Sequence, residues 1–262
     1  MVLMDKRSLS FQIQSFGVSD KGLVRVRNED YWDSVPEKNI FALADGMGGH
    51  LGGDVAAKEA VTFSLDLLSN SEILQKHILS PDDVLDVMRF VIQQTNARVH
   101  ERSKLEPTVK GMGATLCCFY LYENRYAVYA HVGDSRIYRL RKGEFKQLTS
   151  DHSVVQEMMD AGQLKKGKDK AAKRKYAGMI TKAIGIDPKV RAEADFEEIQ
   201  HGDIYLMCSD GLTNMLRPAK MQELIENAPT IEDASQSLVK AAKNGGGDDN
   251  ITAVLLSCEE ES

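Results

Sequence analysis

The order of elements along the chain predicts an α+β fold of four layers, α-β-β-α, in which two antiparallel sheets pack together and each carries a helix pair on its outer face. Three observations lead there. Eight apolar or alternating runs read as strands. The helical patterns come in two pairs, one early and one late. The regular strand–helix alternation that a parallel doubly wound sheet needs is absent.

The strand-like runs are Phe11–Val18, Ile40–Ala44, Ala114–Leu121, Arg125–Val132, Arg136–Arg141, Val190–Phe196, Ile204–Cys208 and Ile251–Ser257. Between Ala114 and Leu148 the connections are short. Glu123-Asn124 and Lys142-Gly143 supply turn chemistry, so this stretch is expected to be an antiparallel meander. The first helix pair is Asp54–Leu68, after a glycine-rich segment, and the long Pro81–Lys104. Ser80 is suited to its N-cap, Pro81 to the first helical position, and Asp83 completes a capping box. The second pair begins near Pro218, running to Asn227, and after Thr230, with Asp233 three residues on and a stop before Gly245. A short helix is expected to begin near Ser153. No repeat and no Pro/Gly/Ser-rich linker divides the 262 residues, so residues 1–262 are read as one domain.

Composition narrows the function. At 42% hydrophobic content a sizeable core is available, and a net charge of -6 disfavours a nucleic-acid partner. Positive charge is concentrated once. Between Lys165 and Lys182 there are eight basic residues and one acid, the makings of a basic flap at about 160–182 that could attract an anionic substrate. The four cysteines show neither disulfide nor metal-binding spacing, which suits a reducing cytosol. No apolar run is long enough to span a membrane, and the N-terminus has no signal-like core, so a cytoplasmic protein is expected.

Four segments share one design, aspartate beside glycine or another small polar residue at one end of an apolar strand, the fourth just before the final strand. They are Ile40–Gly46, Ala130–Arg136, Tyr205–Gly211 and Gly245–Asn250, and they carry Asp45, Asp134, Asp210 and Asp249. A strand holds a carboxylate firmly, and a neighbouring glycine lets backbone come close because no Cβ intervenes. A single Asp-Gly is usually only a turn. Recurrence at the ends of four apolar strands points instead to a site for hard cations, which take oxygen ligands. A fifth segment, Ser19–Asp30, adds Arg25 and Arg27 before Glu29 and Asp30. Carboxylates suit metal, and guanidinium suits a bidentate grip on phosphate.

These segments resemble the motifs of the metal-dependent protein phosphatases, the type 2C serine/threonine phosphatases, in their bacterial form. The matches are Gly22…Arg25…Asn28-Glu29-Asp30, Ala44-Asp45-Gly46-Met47-Gly48-Gly49-His50, Gly111-Met112-Gly113-Ala114-Thr115, Val132-Gly133-Asp134-Ser135-Arg136, Leu148-Thr149-Ser150-Asp151-His152-Ser153, Cys208-Ser209-Asp210-Gly211-Leu212 and Asp249-Asn250-Ile251-Thr252. Seven ordered matches span nearly the whole chain. The resemblance implies that Asp45 bridges two Mn²⁺ or Mg²⁺ ions, that the Gly46 carbonyl joins one of them, and that Asp210 and Asp249 bind the other. Glu29 and Asp30 would act directly or through water, Arg25 would hold the phosphate, and Asp134 would serve a third, weaker metal.

On this reading the reaction is hydrolysis of phosphoserine or phosphothreonine by a hydroxide shared between two cations about 3.5–4 Å apart. Arg25, Asp45 and Asp210 would carry it. The partners implied are phosphorylated proteins, above all serine/threonine kinases and their substrates, with no nucleic acid, no membrane, and a monomeric enzyme. Animal relatives place histidine after the Asp-Gly, where this chain has Met47. A metal-bound water is therefore preferred to His50 as the acid for the leaving oxygen. Asp248 also departs from the family, as an extra carboxylate beside Asp249. The alternatives are a catalytically inactive phosphatase-like module that binds phosphoproteins, and another two-metal phosphoesterase. Nucleotide-binding glycine motifs are absent.

Overall fold

The computed structural model describes residues 10–48, 52–74, 79–164 and 175–260. His50 and most of the basic run, residues 165–174, lie outside them. The strands are β1 (Phe11–Asp20), β2 (Asp30–Val35), β3 (Ile40–Met47), β4 (Gly113–Ala114), β5 (Leu116–Tyr122), β6 (Tyr126–Val132), β7 (Arg136–Arg141), β8 (Glu144–Gln147), β9 (Glu193–Glu198), β10 (Ile204–Cys208) and β11 (Ile251–Glu260). The helices are α1 (Gly53–Ser69), α2 (Pro81–Leu105), α3 (Val154–Asp160), α4 (Asp210–Met215), α5 (Pro218–Glu226) and α6 (Ile231–Asn244).

One sheet runs β1-β11-β10-β7-β8. The other runs β2-β3-β5-β6-β9, with β4 paired to β3. All the pairings are antiparallel. Period-2 alternation builds the layers. Phe41, Leu43, Cys117, Phe119, Met207, Val254 and Leu256 point between the sheets. Their neighbours Ile40, Ala42, Ala44, Leu116 and Cys118 face α1 and α2, packing with Ala57, Val61, Met88 and Ile92. Leu206, Cys208, Ala253 and Leu255 face α5 and α6, with Met221, Ile225, Leu238 and Ala242. The expected four layers are thus present. Adjacent Cys117 and Cys118 lie on opposite faces of β5, and all four cysteines are buried and unpaired.

The caps follow the sequence. Ser80 and Asp83 form a reciprocal capping box on α2, and Thr230 accepts the Asp233 N–H at the start of α6. Ser153 accepts the Gln156 N–H to open α3.

Two expectations are corrected. The stretch from Ala114 to Leu148 is not one meander. β5–β6 and β7–β8 are hairpins in different sheets, and β6 does not pair with β7. The chain changes sheets at Gly133-Asp134-Ser135, where Gly133 takes φ +102° and a Cβ would press into Thr115. Asp134 thereby stands at the junction of the two layers. The strand expected at Val190–Phe196 begins three residues later, at Glu193. Two elements, β2 and α4, have too little apolar periodicity to be read from sequence.

Candidate metal centre

The Asp-Gly pairs are not turns. Asp45 and Gly46 lie inside β3, and Asp210 and Gly211 open α4. Neither glycine has a positive φ among those that do. Each is required by close packing of main chain on main chain. A Cβ on Gly46 would collide with the Gly53 carbonyl at the start of α1 and crowd the Glu29 carbonyl. A Cβ on Gly211 would collide with the Asn250 carbonyl. The first contact gathers Glu29, Asp30 and Asp45; the second gathers Asp210 and Asp249.

Asp30 and Asp45 are directly opposed in the β2–β3 ladder. Asp30 is buried, and its Oδ2 accepts hydrogen bonds from Ser209 (2.7 Å) and Thr252 (2.6 Å). Its Oδ1 is buried with no hydrogen-bond partner. Thr115 fits between β4 and β5 and fixes Asp45 from both sides. Its N–H donates to the Asp45 carbonyl at 2.8 Å, and its Oγ1 accepts the Asp45 N–H at 2.9 Å. Asp210 accepts from Asn214 at 3.0 Å. Asp249 pairs with the half-exposed Arg25 at 2.7 Å.

The carboxylates disturb one another. Burial pushes the Asp30 carboxyl up to about 7, against the hydrogen bonds from Thr252 and Ser209, with the charges of Asp210 and Asp249 adding to the rise. Burial likewise takes Asp134 up to about 7, helped by Asp210 and Asp151. Burial and the charges of Asp30, Asp210 and Asp134 hold Asp45 well above the ordinary range. Asp210 is raised by burial and by Asp249, while hydrogen bonds from Asn214 and Asp45 oppose the rise. Arg136, a half-buried cation whose charge lowers Asp134 and Asp210, is held in a bidentate pair with Asp151 at 2.6 and 2.8 Å. Converging carboxylate oxygens, a buried oxygen on Asp30 with no donor, and two nearby arginines that are each already paired with an aspartate, Arg25 with Asp249 and Arg136 with Asp151, leave negative charge that divalent cations would balance. The residues fit such ions.

The six candidate carboxylates do not sit alike. Asp30, Asp45, Asp134, Asp210 and Asp249 interact within one cluster. Glu29 sits at its edge against Gly53, its carboxyl raised by burial. Asp248 is exposed, so the extra carboxylate faces solvent.

Three positioning residues were not singled out from sequence. Ser209 and Thr252 bracket Asp30. Buried Asn250 ties the rim: its Nδ2 donates to the Lys21 (3.0 Å) and Arg27 (2.8 Å) carbonyls, and its Oδ1 accepts the Glu29 N–H at 2.8 Å. The neighbouring Asp-Asn pair was the available signal. Asn250→Ala is expected to cost about 1–3 kcal/mol, because it strands these groups. It should also speed hydrogen exchange across 21–29 more than elsewhere. Uniform exchange would count against the strapping role.

His131, His152 and Glu193 also gather, with ligand atoms within 4.8 Å of one another. Their hydrogen bonds argue against a metal. The Gly133 N–H donates to His152 Nδ1 at 3.1 Å, so Nε2 carries the proton and donates to Glu193 at 3.1 Å. The Ser150 carbonyl can only accept, so His131 Nε2 is protonated too. His152 is a staple for the Asp134 turn, as well as shaping the entry to α3. A cavity of 880 Å³ opens beside His131, Lys182, Arg191 and Glu193, and none of the candidate metal or phosphate residues lines it.

The geometry agrees with known proteins. Residues 24–244 match the family model described as protein phosphatase 2C. The protein phosphatase PhpP of Streptococcus pneumoniae is 35% identical over 247 residues, covering 93% of this chain and 97% of PhpP. The serine/threonine phosphatase stp of Listeria monocytogenes is 33% identical, covering 91% and 93%. Among solved structures, the catalytic domain of the serine/threonine protein phosphatase PstP, in complex with two manganese ions, superposes with a TM-score of 0.82 at 30% identity, covering 95% of this chain and all of that one. Staphylococcus aureus Stp1 gives a TM-score of 0.85 at 27% identity, covering 98% and 99%. The chain belongs to the protein phosphatase 2C family.

Proposed function

We propose that this chain is a metal-dependent protein serine/threonine phosphatase acting on phosphorylated proteins, serine/threonine kinases and their substrates among them. The observation that carries the reading is the cluster of Asp30, Asp45, Asp134, Asp210 and Asp249, in which burial and mutual repulsion raise the carboxyls of Asp30, Asp45, Asp134 and Asp210 and one buried oxygen of Asp30 has no hydrogen-bond partner. Relatives bearing the phosphatase name along nearly their full length support it.

In this reading Asp45 and the Gly46 carbonyl, with Asp210 and Asp249, hold two Mn²⁺ or Mg²⁺ ions. Glu29 and Asp30 support them, and Asp134 serves a third, weaker ion. A bound pair of such cations supplies Lewis-acid polarisation of the phosphoryl group and a water nucleophile at neutral pH. Thr115 locks the Asp45 backbone, and Ser209 and Thr252 lock Asp30, so that the ligands cost little reorganisation. Arg25 is anchored by Asp249 yet half-exposed, which leaves guanidinium N–H groups to donate to phosphoryl oxygens. All four thiols are buried, and burial raises each of them, so none is suited as a nucleophile. The phosphatase unit spans residues 1–262 and works as a cytoplasmic monomer. Among the described residues no helix is long and apolar enough to cross a membrane.

The test is hydrolysis of an aryl phosphate and a phosphothreonine peptide with and without Mn²⁺. Both rates should collapse in chelator and return with the metal. Undiminished rates in chelator would refute the reading, and activity confined to the aryl phosphate would refute its protein-substrate part.

A further inference from the structure

Apolar side chains held in water on an ordered backbone mark a contact surface. Residues 21–28 make one. Leu23 and Val24 are each 65% exposed, and Val26 is 87% exposed. Their loop is firmly strapped. The Leu23 N–H donates to the Gly247 carbonyl at 2.8 Å, and the Gly22 N–H to the Asp20 carboxylate at 2.8 Å. The Asn250 amide holds the Lys21 and Arg27 carbonyls. Gly22, at φ +74°, lies against the Asp249 main chain, where a Cβ would collide. Arg25 stands between Val24 and Val26, paired to Asp249. An apolar ridge therefore flanks the arginine at the mouth of the carboxylate cluster.

We propose that Leu23, Val24 and Val26 contact the residues beside the phosphorylated serine or threonine of a protein substrate and select apolar ones. The inference rests on the phosphatase reading above. A phosphoryl group gripped at Arg25 brings the flanking residues, spaced about 3.8 Å apart along the substrate, alongside the ridge. Lys21, Arg25 and Arg27 on the same loop favour a phosphorylated chain and repel a basic flank. A second copy of this chain would bring the same three cations against these, which opposes self-association as the ridge's use.

The test measures kcat/KM with Mn²⁺ on three substrates: a phosphothreonine peptide flanked by Leu and Val, the same peptide flanked by Ser and Gly, and an aryl phosphate too small to reach the ridge. The wild type should favour the apolar peptide about tenfold, the scale on which apolar contacts discriminate. In a Val24→Ser, Val26→Ser double variant that ratio should approach one. Equal rates on the two peptides in the wild type, or an unchanged ratio in the variant, would overturn the ridge and leave the phosphatase reading intact. A parallel loss on all three substrates would overturn it too, because the loop would then only be holding Arg25. Hydrolysis of none of them by the wild type would remove the phosphatase reading and the ridge with it.

Discussion

Asp210→Asn is expected to lower Mn²⁺-dependent phosphate-ester hydrolysis more than about a hundredfold, since outer-shell partners of a metal site alone are worth 10–100-fold. Asparagine keeps the shape and can still meet Asn214, so the fold should survive. Stability should respond in the opposite sense to activity. Without metal, the wild type holds Asp30, Asp45, Asp134 and Asp210 in mutual repulsion. An acid whose folded value is raised binds more protons folded than unfolded, so the stability contributed by Asp30 and Asp134 falls as pH rises from the ordinary value of 3.8 to about 7. Removing one charge relieves part of it. Metal-free Asp210→Asn should therefore melt no lower than metal-free wild type at pH 7.5, and the gap should narrow at pH 5. Added Mn²⁺ should raise the wild-type melting temperature and move the variant far less. A variant stabilised by Mn²⁺ as strongly as the wild type would remove Asp210 from the ligand set.

Gly46→Ala and Gly211→Ala should be strongly damaging for single-methyl changes. Each Cβ would meet a backbone carbonyl, Gly53 in one case and Asn250 in the other, and neither can rotate aside. Overpacking of this kind costs about 1–3 kcal/mol or more, roughly 2–10 °C in melting temperature for a chain of this size. The larger consequence is geometric. Relief of the clash at Gly46 pushes Asp45 away from Glu29 and α1, and relief at Gly211 pushes Asp210 away from Asp249. Activity should fall further than stability alone explains. Gly143 provides the contrast. Its φ of +80° with nothing within 4 Å identifies a turn glycine, and Gly143→Asn should cost under about 1 kcal/mol because Asn tolerates that region. Thermal melts with activity measured well below the transition distinguish the two kinds of glycine. Equal, small effects at all three would show that the close approaches relax freely.

Much of the molecule was legible before any coordinates. The apolar runs at Ile40, Leu116 and Ile251 are strands as expected, because a run apolar at every position suits a strand buried on both faces. Capping chemistry at Ser80 and Thr230 located helix starts, because a helix N-terminus needs acceptors for its free N–H groups. β2 was invisible because Asp30–Val35 carries polar and charged residues on a ladder stabilised by its partner β3 rather than by its own pattern. The sheet change at Gly133 was invisible because a short connection reads alike whether the strands it joins pair or part.

The sequence by itself determined which residues are candidates for the chemistry: carboxylates beside glycines and apolar strands, in an order that resembles one family, and an arginine near them. Only the tertiary structure decided how they meet. It opposes Asp30 to Asp45 across a ladder, seats Asp30 between Ser209 and Thr252, and lays Gly211 on Asn250. It also turns the two Asp-Gly pairs from apparent turns into close backbone crossings. The physical reason is that residue type and local periodicity are properties of neighbours in the chain. Repulsion among buried charges, and the room a missing Cβ leaves, exist only once segments some 200 residues apart, such as Asp30 and Thr252, are brought into contact.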